Sequence, residues 1–316
     1  MLARPEKKEI KMRQIVEVIA TFLLFVQVFA GPCWATETQE ESGKKLTSVF
    51  KQSWLKSVIS VEQVQEDPKE EHAKYAPIGT GFLIASPNKH IVLITAKHVI
   101  IDKKTQKTRE NLAYRLNDKK GHSIIVTEEG LRKGAVGSWY LSSDRDVACR
   151  FMFVPTTSDL LQIPLSSFLE AKYVQPGAPV LLLGFPLGLR SENYAKPIVR
   201  QGIVALSEPN DLVVDVDFYP GNSGGAVVYV PPIKMGKGLS SPLINEEKLV
   251  GLAINFIPYV DVAVSAHTGR PRATFEENSG LCNVVPADAI LSLLKRRDVS
   301  AVDEELTEKL KVEHPK

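Results

Sequence analysis

The chain is poor in cysteine. Three occur in 316 residues, Cys33, Cys149 and Cys282, too few for a disulfide-stapled scaffold. A chain of this length can bury a core without such staples. No pair of cysteines or histidines stands at ligand spacing, so no metal site is expected. Neither sign of charge is in excess. With residues 1–35 set aside, 34 basic and 34 acidic residues remain. No dense Lys/Arg stripe stands out, so no nucleic-acid partner is expected. No repeat of fixed length occurs, which excludes solenoids and propellers. Apolar residues still make up 44% of the chain, too many at near-zero net charge for a disordered protein.

The longest apolar run is Val18–Ala30, broken only by Thr21 and Gln27. It is shorter than the roughly 20 residues of a membrane span. A basic stretch ending at Arg13 precedes it, and small residues follow it in Val-Phe-Ala, ending at Ala30, and Cys-Trp-Ala, ending at Ala35. This is the layout of a secretory signal peptide over residues 1–35. Cleavage after Ala35 is favoured, because Pro32 crowds the first site. The rival reading is an uncleaved leader that anchors the chain to the membrane. Export to the periplasm or beyond would place Cys149 and Cys282 in an oxidising compartment, where they could form one disulfide or remain two buried thiols. Both lie in apolar, strand-like stretches, which favours the thiols.

From Val58 the texture changes to short β-branched runs between turn formers. Val58–Val64, Gly81–Ala85, Ile91–Thr95, Ser123–Thr127 and Asp146–Val154 are of this kind. So are Pro179–Gly184, Ile198–Leu206, Leu212–Phe218, Ala226–Val230, Leu249–Ile257 and Leu281–Val285. Ten to twelve strands spaced by turns indicate an all-β barrel or sandwich. One helix is expected at the end, opened by Pro286 with Ile290, Leu293 and Leu294 on one face. Beyond Asp298 the chain reads as a charged, exposed tail. Residues 231–247 and 258–279 read as long insertions, of the kind that in a compact barrel are functional or mobile.

The chemistry concentrates in Gly221-Asn222-Ser223-Gly224-Gly225. A serine hydroxyl needs a neighbouring base to become a nucleophile. Flanking glycines let the backbone turn so that N–H groups can face a developing oxyanion. Upstream stand Gly79-Thr80-Gly81-Phe82, then Thr95-Ala96-Lys97-His98-Val99, then Asp144-Arg145-Asp146-Val147-Ala148. In these motifs, and in their order, the chain resembles the trypsin-like (chymotrypsin-fold) serine proteases. It is most similar to the bacterial high-temperature-requirement, or Deg-type, branch. Gly184-Phe185-Pro186-Leu187-Gly188, Arg200–Val204, Leu249–Leu252 and Asn283–Pro286 extend the resemblance over roughly residues 55–297. The serine motif also fits the elbow of α/β-hydrolases. There, however, the acid and the histidine follow the serine, and here fewer than a hundred residues remain after Ser223.

The resemblance implies two antiparallel six-stranded β-barrels with a C-terminal helix. It implies that residues 55–297 form a protease domain, after a 36–54 segment and before a 298–316 tail. In this reading Ser223 is the nucleophile, His98 the general base and Asp146 its orienting acid, with Asp144 as the rival for that third role. The N–H groups of Gly221 and Ser223 would form the oxyanion hole. Position 222 is Asn where digestive relatives carry an Asp that pairs with a freed amino terminus, so activation by that route is not expected. The charged tail leaves no room for a PDZ domain after the last helix. Asp217 could select basic side chains if buried at the base of the specificity pocket, although alternation with Val214 and Val216 equally suits a polar strand face. Ile254, Asn255 and Phe256 would form an apolar pocket wall. Expected substrates are peptides or unfolded proteins, with no cofactor. A second class of reading is a non-proteolytic or ligand-gated binding module on the same fold.

Overall fold

The computed structural model describes residues 50–65, 73–133, 138–190, 194–208, 211–231 and 246–313. The leader with its cleavage sites, Cys33 and most of the 231–247 insertion lie outside them. The described residues fall within one compact unit.

Two antiparallel sheets carry the architecture. The first comprises β1 (Val58–Gln65), β2 (Lys74–Ala85), β3 (Ile91–Thr95), β4 (Leu112–Asn117), β5 (Ser123–Thr127), β6 (Tyr140–Leu141) and β7 (Ala148–Phe151), in the order β5-β4-β1-β2-β3-β7-β6. The second comprises β8 (Pro179–Gly184), β9 (Ile198–Ser207), β10 (Leu212–Asp215), β11 (Ala226–Tyr229), β12 (Lys248–Val264) and β13 (Pro271–Pro286). It closes as a six-stranded barrel. The first sheet curls without a continuous ladder. The segment after β7 meets the end of β4 through Lys119 N–H to Thr157 O at 3.0 Å and Asp159 N–H to Asn117 O at 2.7 Å.

The apolar runs are continuous because these strands are buried on both faces. Phe82, Ile84, Val92 and Ile94 turn one way, while Leu83 and Leu93 turn the other. In the second barrel Val180, Leu182 and Val227 face inward, while Leu183, Ala226 and Val228 face the first sheet. Each barrel therefore has its own core, and a third apolar cluster welds the two together. The helix Ala287–Leu294 adds Ile290, Leu293 and Leu294 to that weld. Buried in separate clusters, Cys149 on β7 in the weld and Cys282 on β13 in the second barrel's core are free thiols. Burial pushes both up to about 12, so they remain protonated at neutral pH.

Two expectations are corrected. The chain beyond Asp298 is not an exposed tail but part of a helix, Arg297–Glu313. Val299 and Leu306 reach the apolar weld, and Asp303 accepts from Ser86 Oγ at 2.5 Å and contacts His90 Nδ1 at 2.7 Å. The apolar spacing was hidden by the surrounding charges. The insertion 258–279 is not a loop: β12 and β13 run on past the barrel as a two-stranded ribbon with its tip near Gly269.

Charge is buried in the first barrel only where it is paired. Glu62 on β1 receives Arg115 Nε at 2.8 Å and Arg190 Nε at 3.0 Å. Arg150 on β7, wholly buried, pairs with Glu128 after β5 and lies 5.6 Å from the Trp139 ring. Tyr114 on β4 donates to the same carboxylate at 2.6 Å. This cluster ties β4, β5 and β7 together across the sheet's open seam. Arg150→Ala takes the buried cation away from Glu128 and should cost about 3–5 kcal/mol, read as a lowered urea midpoint.

Candidate active site

Each proposed functional group sits where a strand ends. Thr95 closes β3, and the next residues turn into the short helix Lys97–Ile100 that carries His98. Asp146 lies in the connection from β6 to β7. Ser223 lies in the turn that leads into β11. The first two belong to the first sheet and the serine to the second, so only packing of the two sheets can bring them together.

Thr80 on β2 is the clasp between the halves. Its N–H donates to Ser223 O at 2.8 Å, and its hydroxyl donates to Gly221 O at 2.7 Å. The same hydroxyl accepts from Phe185 N–H at 2.9 Å, and its carbonyl accepts from Thr95 Oγ1 at 2.7 Å. Four bonds at one buried residue therefore position the serine turn, the residue after β8 and the end of β3, from which the histidine helix starts. The sequence reading passed over Thr80; its only signal was a hydroxyl residue set between two glycines in an otherwise apolar strand.

The glycines make room for this approach. At Gly79 a Cβ would stand 2.6 Å from Val99 Cγ1 and 3.1 Å from Ser223 O, so the histidine helix and the serine turn press on the same residue. Gly224 has φ +88°, and a Cβ there would stand 1.9 Å from Thr80 O. Gly221 has φ +97°, with Phe185 O at 2.3 Å from the same hypothetical atom. Both need the left-handed conformation that glycine adopts freely. Among the described residues, the N–H groups of Gly221 and Ser223 donate to no protein acceptor. Asn222 between them is buried, its amide oxygen against Gly184. A carboxylate at that place would need a cation.

Asp146 holds His98 with both oxygens. Oδ2 contacts His98 Nδ1 at 2.6 Å, and Oδ1 accepts the His98 backbone N–H at 2.9 Å. Burial pushes the Asp146 carboxyl up. The hydrogen bonds and charge of His98, with help from Lys97, outweigh burial and hold it below its ordinary value. Asp144 does not touch the histidine: it is exposed and accepts from Ser142 Oγ at 2.8 Å. The Ser223 hydroxyl donates to Ile254 O at 2.9 Å and makes no hydrogen bond to His98.

Beside the serine, Gly224 N–H donates to Ala253 O at 2.8 Å and Ala253 N–H to Gly225 O at 2.9 Å. This pairing sets β12 alongside the serine turn. Ile254 packs between the barrels, Asn255 is exposed and accepts from Asn283 Nδ2 at 3.2 Å, and Phe256 is half-buried against the second barrel's core. Asp217 is not the buried base of a pocket. Its side chain is 67% exposed and pairs with Arg200 at 3.3 Å. Strand alternation turns Asp215 and Asp217 outward and Val214 and Val216 into the core. Selection of basic substrates by a buried Asp217 is thereby withdrawn.

Residues 79–229 match the family described as trypsin-like peptidase domain. Among solved structures, this chain is similar to the HtrA-type protease AlgW with tripeptide, at a TM-score of 0.42 and 14% identity. The match covers 78% of this chain and 62% of that one, so the chain spans about three fifths of that protein's length. No curated protein matches.

Two outcomes test the geometry. Gly224→Ala forces a Cβ onto Thr80 O at a positive φ and should destabilise the chain by more than about 2 kcal/mol, seen as a lowered melting temperature. The Asp146 carboxyl lies below its unfolded value. Its stabilising contribution is therefore complete above the ordinary carboxylate pKa of about 4 and is lost as pH falls through the lower folded value. The gap in urea midpoint between the native chain and Asp146→Asn should be widest near neutrality and should close in acid.

Proposed function

We propose that the chain is a trypsin-like serine endopeptidase acting through Ser223, His98 and Asp146, a reading supported by the family match over residues 79–229. The observation that carries this reading is the two-point hold of Asp146 on His98, beside a serine flanked by left-handed glycines. The proposed domain spans residues 55–297, and the proposed route is export under the 1–35 leader. No helix among the described residues is long and apolar enough to cross a membrane.

The reaction proceeds in two acyl transfers. Ser223 Oγ attacks the scissile carbonyl carbon while its proton passes to His98 Nε2. Asp146, hydrogen-bonded at Nδ1, fixes the tautomer and stabilises the imidazolium. The oxyanion receives the N–H groups of Gly221 and Ser223; one such donor lowers the barrier by about 3–4 kcal/mol. Collapse breaks the C–N bond as His98 returns the proton to the leaving amine. Water then attacks the acyl-enzyme by the same path, its proton going through His98 back to Ser223. Substrates are extended peptides or unfolded proteins, because the cleft edge beside Ser223 is the backbone of a strand.

One observation favours a gated form of this enzyme. The nucleophile's proton is committed to Ile254 O. A change of staggered rotamer would redirect it, and a substrate N–H that takes Ile254 O would release it.

Ser223→Ala should abolish peptide hydrolysis and fluorophosphonate labelling while leaving the circular dichroism spectrum unchanged. Labelling of another serine in that variant would count against the assignment. Labelling of the native chain that is slow alone and faster with added peptide would mark the gated form.

A further inference from the structure

The ribbon formed by the outer halves of β12 and β13 is unusual in what it exposes. From Pro258 to Val264, β12 pairs with β13 from Asn278 back to Pro271. β11 pairs only with Lys248–Leu252 of β12. The nucleophile turn takes over at Ala253 and Ile254. Beyond Ile254, the side of β12 away from β13 has no backbone partner among the described residues. Such an edge is a template for another strand, and natural proteins blunt it with Lys, Pro or bulges. Here Pro258 stands at the base, the register shifts at Phe256/Pro258 and Ala263/Val264, and Val262 N–H donates to Asp261 Oδ1 at 2.8 Å. Asp261 is the only charged residue between Ile254 and Val264, and the rest of the edge is left bare. Tyr259, Val260, Val262 and Val264 are all exposed, at 60%, 48%, 42% and 59%. An isolated two-stranded ribbon is at best marginally stable in water, so a third strand has a structural reason to add.

The position of that edge identifies its occupant. It begins at Ile254, whose carbonyl lies 2.9 Å from Ser223 Oγ, and it continues the line of β12 away from the nucleophile. The leaving amine must lie toward His98 on the first sheet, to collect its proton. The substrate residues on the amino side of the scissile bond therefore remain with the second barrel, on β12. We propose that the free edge of β12 from Tyr259 to Val264 is an extended docking strand for the substrate. It pairs with a segment about five to ten residues to the amino side of the cut, rich in β-branched and aromatic residues. Ten residues of strand span roughly 33 Å, so the ribbon lets the enzyme grip an unfolded chain well beyond the bond it cleaves. Short peptides miss that grip, which makes long unfolded apolar segments the preferred substrate class.

This inference rests on the peptidase reading, and the test separates the two. Peptides with four, seven or ten apolar residues on the amino side of the cleaved bond, and matched peptides lengthened on the carboxyl side, are hydrolysed by the native chain. The same peptides are titrated by fluorescence anisotropy against Ser223→Ala, which reads the edge without catalysis. The expected result is a rise of about tenfold or more in kcat/KM, mostly through KM, and a matching tightening of Kd, on amino-side lengthening only. The double variant Val260→Lys/Val262→Lys, at two exposed positions, should remove the gain while leaving the four-residue peptide and fluorophosphonate labelling unchanged. A chain with an Asn-Gly turn replacing residues 259–277 should behave alike. Affinity independent of length, or a gain that survives both variants, overturns the proposal. So does a dimer, measured by sedimentation, that both ribbon variants dissolve without any change in length dependence, because a second copy would then own the edge. Absence of hydrolysis at every length with the Kd trend intact would instead overturn the peptidase reading alone.

Discussion

The site depends on one buried threonine. Thr80 belongs to the first sheet, yet it holds the carbonyls on either side of Asn222 in the second. Such bonds are worth little each in net terms but are expensive to leave unmade when buried. They also need a close backbone approach, which is why glycines stand at 79 and 224. A side chain at either would push the serine turn off the clasp. The histidine helix is tied to the same point through Thr95. Thr80 thus gathers the serine turn, the residue after β8 and the end of β3, while Asp146 joins them only through His98.

Beneath that clasp lies the double-sided burial of the strands. Because β2, β3, β8 and β11 are apolar on both faces, one face fills a barrel while the other joins the cluster between the barrels. The inter-barrel contact is thus packed like a core, not like a domain interface, and interiors packed at that density do not yield continuously. A rigid weld of this kind brings the helix of His98 and the turn of Ser223, 125 positions apart in the chain, against the same residue, Gly79. The C-terminal helix adds to the weld from behind, with Asp303 locked onto Ser86 and His90.

Electrostatics is used sparingly and locally. Asp146 is held ionised by its contacts with His98 despite burial. Asp144, two residues away, is turned to Ser142 and plays no part in that contact. Asp217 is spent on Arg200 at the surface. Beside the serine turn, β12 therefore presents strand backbone with Ile254 and half-buried Phe256 in place of a fixed charge.

Much was legible in the residue order. Short β-branched, apolar runs between turn residues marked Ile91–Thr95, Ser123–Thr127 and Pro179–Gly184 at their observed bounds, because apolar strands bounded by turn formers leave few alternatives. The motifs at His98, Asp146 and Ser223 were local strings, and so readable. Val147-Ala148 after Asp146 favoured it over Asp144, and the β6–β7 turn does aim Asp146 at the imidazole. Two things were not legible. The helix Arg297–Glu313 owes its fixing to Val299 and Leu306 joining the weld and to Asp303 finding partners more than 200 residues upstream. The ribbon at 258–279 needed two strands to find each other across a turn. The amino-acid order alone determines the strands, their burial and the chemistry available. Only the packing of one sheet on the other decides which groups meet, because that meeting is set by contacts no local pattern records.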